Sequence, residues 1–196
     1  FPINRTTVNL LYKTALSEEG MEEFYRSVRE NRTPIRNSED LIVSSVGRDL
    51  FSKFFLNYTR KQWGLEPREL KSGVASRIPV RSNADDRYFM DTYQGIPING
   101  YTRMFENILD HDNIYVQTNT EYKDIENPYR YYEYVVYTGR IDAFFDYRYG
   151  RLPYRSLDFV HEHYSNVEFS QTVGTVNYPN DHVYTRITEF KHLTGQ

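Results

Sequence analysis

The sequence predicts an α+β fold, a helical bundle lobe followed by a mainly antiparallel β-sheet. Two observations carry that reading. Apolar residues recur at helical spacing in the stretch that ends near Gly64, and β-branched and aromatic runs dominate after residue 110. Helices first and strands later, without alternation, argue against a doubly wound α/β sheet.

Taken in order, Met21, Phe24, Tyr25 and Val28 follow Ser17 at helical spacing, with acidic residues early in the run. Pro34 breaks that helix within Asn31 to Asn37. Ser38 is the expected N-cap of the next helix, with Glu39 and Asp40 in its first turn. Its apolar stripe is Ile42, Val46, Leu50, Phe51, Phe54 and Phe55, and Gly64 and Pro67 end it. A short helical turn after Pro67 is expected. Residues 72–86 are rich in Ser, Gly, Pro, Arg and Asp, sustain no period, and read as a long mobile loop. Helix resumes after Gly100, with Met104, Phe105, Ile108 and Leu109 predicted to face inward. Strands are predicted at Ile114 to Thr118, Tyr134 to Tyr137, Ser156 to Tyr164, Val167 to Tyr178 and Tyr184 to Phe190. The lobes so defined are a helical one over 1–110 and a strand-rich one over 111–196.

Composition narrows the function. With 39% hydrophobic residues in 196 and a mean hydropathy of −0.73, much of the core must come from 19 Tyr and 12 Phe. The net charge of −3 spreads no basic field, so nucleic acid is not an expected partner. There is no Cys, which excludes disulfides, thiolate metal sites and cysteine nucleophiles. No apolar run reaches membrane-spanning length and no secretory signal is present, so no membrane partner is expected and a cytoplasmic location is the default. The chain opens FPINRTTVN and stops at EFKHLTGQ. Such ends read as those of a piece of something longer.

The residues with the most chemistry lie in YTRKQWG, Tyr58 to Gly64, and in SRIPVR, which carries Arg77 and Arg81. Rings stack on bases and sugar faces, and guanidinium forks hold phosphate oxygens. Together they suggest a sugar nucleotide. Trp63 could equally plug the end of a bundle, and two loop arginines could simply be solvated. Asp85 and Asp86 read as caps or surface charges rather than an acid–base pair. His161 and His163 in VHEHY have metal-compatible spacing, but no third ligand at a motif distance, and ordinary strand residues are favoured. Tyr184 and Arg186 fall in a strand, with Arg186 a third candidate phosphate ligand or half of a cross-strand ion pair. GxGxxG, GxxxxGK and GxSxG are all absent.

The ordered blocks YTRKQWG, SRIPVR, DDRYF, QGIPINGYT, YTGRIDAFFDYRYGRLPYRSLDF and VNYP resemble UDP-galactopyranose mutase across most of the chain. The resemblance implies substrate contacts at Phe54, Tyr58, Thr59, Trp63, Tyr88, Phe89 and Asn177. It makes Arg77 the mobile-loop arginine and Arg186 a second arginine near the phosphates and flavin, both with catalytic roles. YTGRID matches a YTGPID pattern beside the cofactor, so Gly139 is the cofactor-contact candidate, and Arg140 stands where that pattern has Pro. The implied activity interconverts UDP-galactopyranose and UDP-galactofuranose. In it N5 of reduced FAD attacks the anomeric carbon, UDP leaves, and the ring reopens and closes. The implied fold adds one or two strands of an incomplete Rossmann-like FAD domain near residues 133–150. The family's GxGxxG unit would precede Phe1 and further flavin contacts would follow Gln196. The expectation is therefore a substrate-binding portion that does not retain FAD and is inactive alone, its parent compatible with a homodimer. Two readings from other classes stand beside it: a flavin-free carbohydrate- or nucleotide-binding module, and a protein-interaction domain with a tyrosine-rich surface.

Overall fold

Two consecutive amphipathic helices and a kinked third build the only substantial core among the described residues. The structure, a computed structural model, describes residues 3–195. It divides into one unit of Phe1–Gln94 with His163–Gln196 and a second of Gly95–Glu162.

In the first unit, α1 (Arg5–Tyr12) is capped by Asn4, whose side chain accepts from Thr7 N at 2.9 Å. Helix α2 (Glu18–Val28) is capped by Ser17, with Glu18 and Glu19 in the first turn. Helix α3 (Ser38–Leu50) starts one residue off the expectation. Asn37, not Ser38, is the N-cap and accepts from Asp40 N at 2.9 Å, while the Ser38 hydroxyl donates to Lys71 O. An Asn side chain caps as well as Ser does, and the Ser38 hydroxyl is used instead to tie down the chain after the 3₁₀ turn Pro67–Glu69.

Gly47 kinks α3 at φ 79°, ψ 173°, a conformation that essentially only glycine adopts. A Cβ there would sit 2.4 Å from Val28 O, so the missing side chain lets α2 and α3 approach closely. The helix then widens into a π-helical stretch, Phe51–Leu56, and runs on as α4 (Asn57–Trp63). Ile3, Val8, Met21, Tyr25, Ile42, Val43, Val46, Leu50, Phe51 and Phe55 form the core. Each such side chain contributes about 1.5–3 kcal/mol on burial. The predicted stripes of α2 and α3 therefore face inward, with Phe54 packed half-buried at the edge.

The Tyr25 ring is buried and its hydroxyl lies 3.2 Å from both Ile3 O and Arg81 O, and burial pushes its pKa up to about 12. It ties the first strand-like residue to residues 79–81, where Ile3 and Val80 form a parallel bridge. Strands β1 (Thr175–Asn177) and β2 (Arg186–Thr188) make a two-stranded antiparallel hairpin, pairing Asn177 with Arg186 and Thr175 with Thr188. A short helix, α7 (Lys191–Thr194), follows.

The second unit contains α5 (Gly100–Leu109) and the four-residue α6 (Ile141–Phe144). Helix α5 forms where expected but buries none of its residues, with Phe105 54% and Ile108 56% exposed. Rings of Tyr122, Tyr137, Phe144, Phe145 and Tyr149 contact one another at centroid separations of 4.9–5.8 Å. Asp142, the only buried residue of this unit among those described, accepts from Ala143 N and Leu152 N and pairs with Arg140.

The expected sheet is thus corrected to a single small hairpin in a mostly helical chain. Ile114 to Thr118, Tyr134 to Tyr137 and Ser156 to Tyr164 form no strands, and α6 lies in the 133–150 region where Rossmann-like strands were expected. Strand propensity reports how a residue fits a half-buried pleated surface. Among the described residues these segments find no neighbouring edge to complete a ladder, and Tyr134 (81%) and Val136 (86%) stay exposed.

Candidate functional site

The site is built where the helix end meets the hairpin. Gly64, at φ 65°, ends α4 by giving its N–H to Arg60 O at 2.8 Å. Arg60 then pairs through two hydrogen bonds with Glu66 (2.8 and 3.0 Å), and Glu66 and Glu69 form a capping box around Pro67. The C-terminal turn of α4 is therefore held in place; Trp63 sits on it and Tyr58 and Thr59 one turn earlier, all half-buried.

Against this helix lies the loop joining β1 and β2. Lys61 Nζ donates to the carbonyls of Tyr178 (2.7 Å), Asp181 (2.8 Å) and Tyr184 (3.4 Å). Asn180 donates to Lys53 O at 2.9 Å, and its side-chain oxygen accepts from Asn57 at 3.1 Å. The Tyr184 and His182 rings stack at 4.9 Å with Tyr178 edge-on to both.

This docking brings three predicted residues together. Arg186 Nη2 donates to the Tyr58 hydroxyl at 2.9 Å, and Asn177 is the cross-strand partner of Arg186. The phenol oxygen accepts from the guanidinium, which leaves its own O–H free to donate. Arg186 keeps further N–H groups on an exposed side chain, enough for a two-point contact with an oxyanion. Asn177 Oδ1 is buried with no hydrogen-bond partner among the described residues, an acceptor that a ligand hydroxyl or amide would satisfy. Phe54 lies one turn before Tyr58 in the π-helical stretch, a widening that re-aims side chains and often marks functional sites.

The remaining candidates are placed separately. Arg77 is exposed in the turn after Ser72–Val74 and makes no hydrogen bond or ion pair among the described residues. Arg81 differs: its guanidinium donates to Asp85 O at 2.8 Å and Arg87 O at 2.5 Å, so it braces its own loop rather than waiting for a phosphate. Asp85 is held well below the usual carboxylate range by Arg87, through side-chain and backbone hydrogen bonds, and Asp86 accepts from Asn4. Both aspartates are structural, as their sequence context suggests. The Tyr88 and Phe89 rings meet edge-to-face at 4.8 Å and are exposed by 37% and 60%. A cavity of about 210 Å³ lies between α3 and this loop, lined by Ile42, Val46, Phe55, Ile78 and Val80 among others. Among the described residues no group of three His, Cys, Asp or Glu could hold a metal, His161 and His163 included. No described helix is long and apolar enough to cross a membrane.

Residues 53–196 match the family model for UDP-galactopyranose mutase. The chain belongs to the UDP-galactopyranose mutase family. Over 98% of its length it is 40% identical to a Klebsiella pneumoniae protein named "Probable UDP-galactopyranose mutase", and covers 50% of that protein. It is 39% identical to the dTDP-fucopyranose mutase of Escherichia coli, again over 98% of this chain and 52% of that one. A Mycoplasma genitalium UDP-galactopyranose mutase is 34% identical over 89% of the chain. The chain spans about half the length of the curated relatives it matches.

Family membership raises the question of a flavin, and Gly139 is the residue that tests it. A Cβ on Gly139 would lie 2.5 Å from the Tyr137 hydroxyl, so the Tyr137 side chain packs directly against this glycine. The sequence contains no glycine-rich phosphate turn of the GxGxxG kind. Sequence reasoning missed Lys61 and Asn180. Lys61 lies inside YTRKQWG, three residues after Tyr58 and thus on a neighbouring part of the helix surface, but nothing in sequence marks which carbonyls it meets.

Proposed function

We propose that this chain supplies the nucleotide-sugar-binding wall of a pyranose–furanose mutase. Arg186 and, from its loop, Arg77 bind the diphosphate. Tyr58, Thr59 and Trp63 contact the nucleoside and sugar, with Phe54, Tyr88 and Phe89 lining the pocket and Asn177 accepting from the ligand. The observation that carries the reading is the Arg186 to Tyr58 hydrogen bond beside the partnerless Asn177 oxygen. A cation with spare donors and an acceptor lacking a donor, on adjoining strands, match an anionic ligand that also bears hydroxyls.

The substrate pair in this proposal is UDP-galactopyranose and UDP-galactofuranose, after the family model and two of the three relatives above. The Escherichia coli relative is named for a different nucleotide and sugar at nearly the same identity, so dTDP-linked sugars belong in the same assay. Trp63, the only Trp in the chain, gives the readout. Titration with UDP, UDP-galactose and dTDP should quench its fluorescence, and Arg186→Ala should weaken the UDP response. Unchanged fluorescence with all three would refute the proposal.

A flavin-free binding module is the second reading, compatible with the absence of GxGxxG from this sequence. The two separate on turnover of UDP-galactofuranose, with dithionite-reduced flavin, by a full-length protein that contains this chain. Turnover supports the mutase reading, and its absence the binding module.

A further inference from the structure

We infer that Lys61 is the positioning residue of this site: its ammonium fastens the hairpin loop to α4 and so sets Arg186 and Asn177 against Tyr58. The inference rests on the nucleotide-sugar reading above.

An ammonium has three N–H donors and no acceptor. Lys61 directs all three at carbonyls of one loop, those of Tyr178, Asp181 and Tyr184. Nothing remains for a phosphate unless a carbonyl is given up, so Lys61 acts through the hairpin and does not itself bind the ligand. The carbonyls it holds are well chosen. Tyr178 directly follows Asn177, and Tyr184 precedes Arg186 by two residues, so both strands are pinned where they enter the site.

The hairpin needs such a fastening. Its strands are three residues each, and an isolated two-stranded hairpin is marginal in water. Its orientation must therefore come from what it docks on. Asn180, bonded to Lys53 O and Asn57, is the second tie to the same helix. A planar guanidinium cannot converge on three carbonyls as a tetrahedral ammonium does, so Lys61→Arg is not a conservative change.

The test compares wild type, Lys61→Met, Lys61→Arg, Arg186→Ala and the Lys61→Met/Arg186→Ala pair. UDP affinity is read from Trp63 fluorescence, fold from thermal melting, and hairpin docking from hydrogen exchange at the Tyr178 amide, which donates to Thr185 O at 2.9 Å. Lys61→Met is expected to melt cooperatively, to lose Tyr178 protection, and to bind UDP about tenfold more weakly. The double variant should lose less than the sum of the two single losses, since Arg186 is one of the two residues that Lys61 positions. The chain has no cysteine, so Lys61→Cys carries a unique thiol. Its alkylation with 2-bromoethylamine rebuilds an ammonium of similar reach and should restore affinity, whereas Lys61→Arg should not. Wild-type Tyr178 protection in Lys61→Met overturns the inference, and so do additive losses in the double variant, which would make Lys61 a direct ligand contact. If the wild type binds neither UDP nor dTDP, the nucleotide-sugar reading fails. Tyr178 protection then still decides whether Lys61 holds the hairpin.

Discussion

Arg186 on β2 donates a 2.9 Å hydrogen bond to the hydroxyl of Tyr58 on α4, across 128 residues of sequence. The bond joins the helix end to the hairpin at the point where a cation and a phenol can face the same ligand. Removing each partner separates their roles. Tyr58→Phe should weaken UDP binding about fivefold, by freeing the guanidinium to wander. Arg186→Ala should weaken it about tenfold to a hundredfold, the worth of a hydrogen bond between charged groups. Calorimetric titration with UDP at fixed salt checks both, and equal effects would contradict the division of roles.

Arg77 and Arg81 should part company. Arg77 is exposed and has no partner among the described residues, so Arg77→Ala should leave the melting temperature within a degree or two while lowering UDP affinity. Arg81→Ala removes the donor that holds the Asp85 and Arg87 carbonyls together and should destabilise by about 1 kcal/mol. Paired thermal melts and UDP titrations on the two variants give the answer.

Glu189 should confer acid sensitivity on the hairpin segment. Its carboxylate accepts from Ser170 N and Gln171 N, and these bonds hold its pKa down from the ordinary 4.5 to about 2 despite the opposing effect of burial. A depressed carboxyl pKa contributes stability that is complete above the unfolded value and lost as pH falls. The loss should therefore develop from about pH 4.5 down through about pH 2. Denaturant melts across that range should show a shallower acid slope for Glu189→Gln than for wild type.

Gly47→Ala should be among the most damaging small changes in the chain. The new Cβ would meet Val28 O at 2.4 Å, on a backbone at φ 79°. Overpacking and backbone strain together predict a loss of about 2–4 kcal/mol by urea denaturation. Ser45→Ala, two residues away on the same helix, should cost far less, because its hydroxyl only bonds back to Leu41 O.

The legible part of this fold is local. The stripes of α2 and α3 and the stop at Gly64 follow from helical periodicity and end chemistry, which neighbours in sequence control. The strands were legible only in part: β1 and β2 fall inside the predicted Val167 to Tyr178 and Tyr184 to Phe190, but the three other predicted strands do not form. Residues such as Tyr134 and Val136 favour strand, but a ladder needs a second edge, and edges come from elsewhere in the chain. Arg81 shows the same limit at the level of a site. In sequence it is as good a phosphate ligand as Arg77, and only the positions of the Asp85 and Arg87 carbonyls commit it to the loop.

By itself, the sequence determined the helical segments and named the ring and guanidinium residues of the candidate site, since both depend on residue type and short-range spacing. Only the tertiary structure decided that Tyr58, Arg186 and Asn177 adjoin, and that Lys61 and Asn180 hold them so. Those contacts close loops of more than a hundred residues, and no local preference records which carbonyl a distant ammonium will meet.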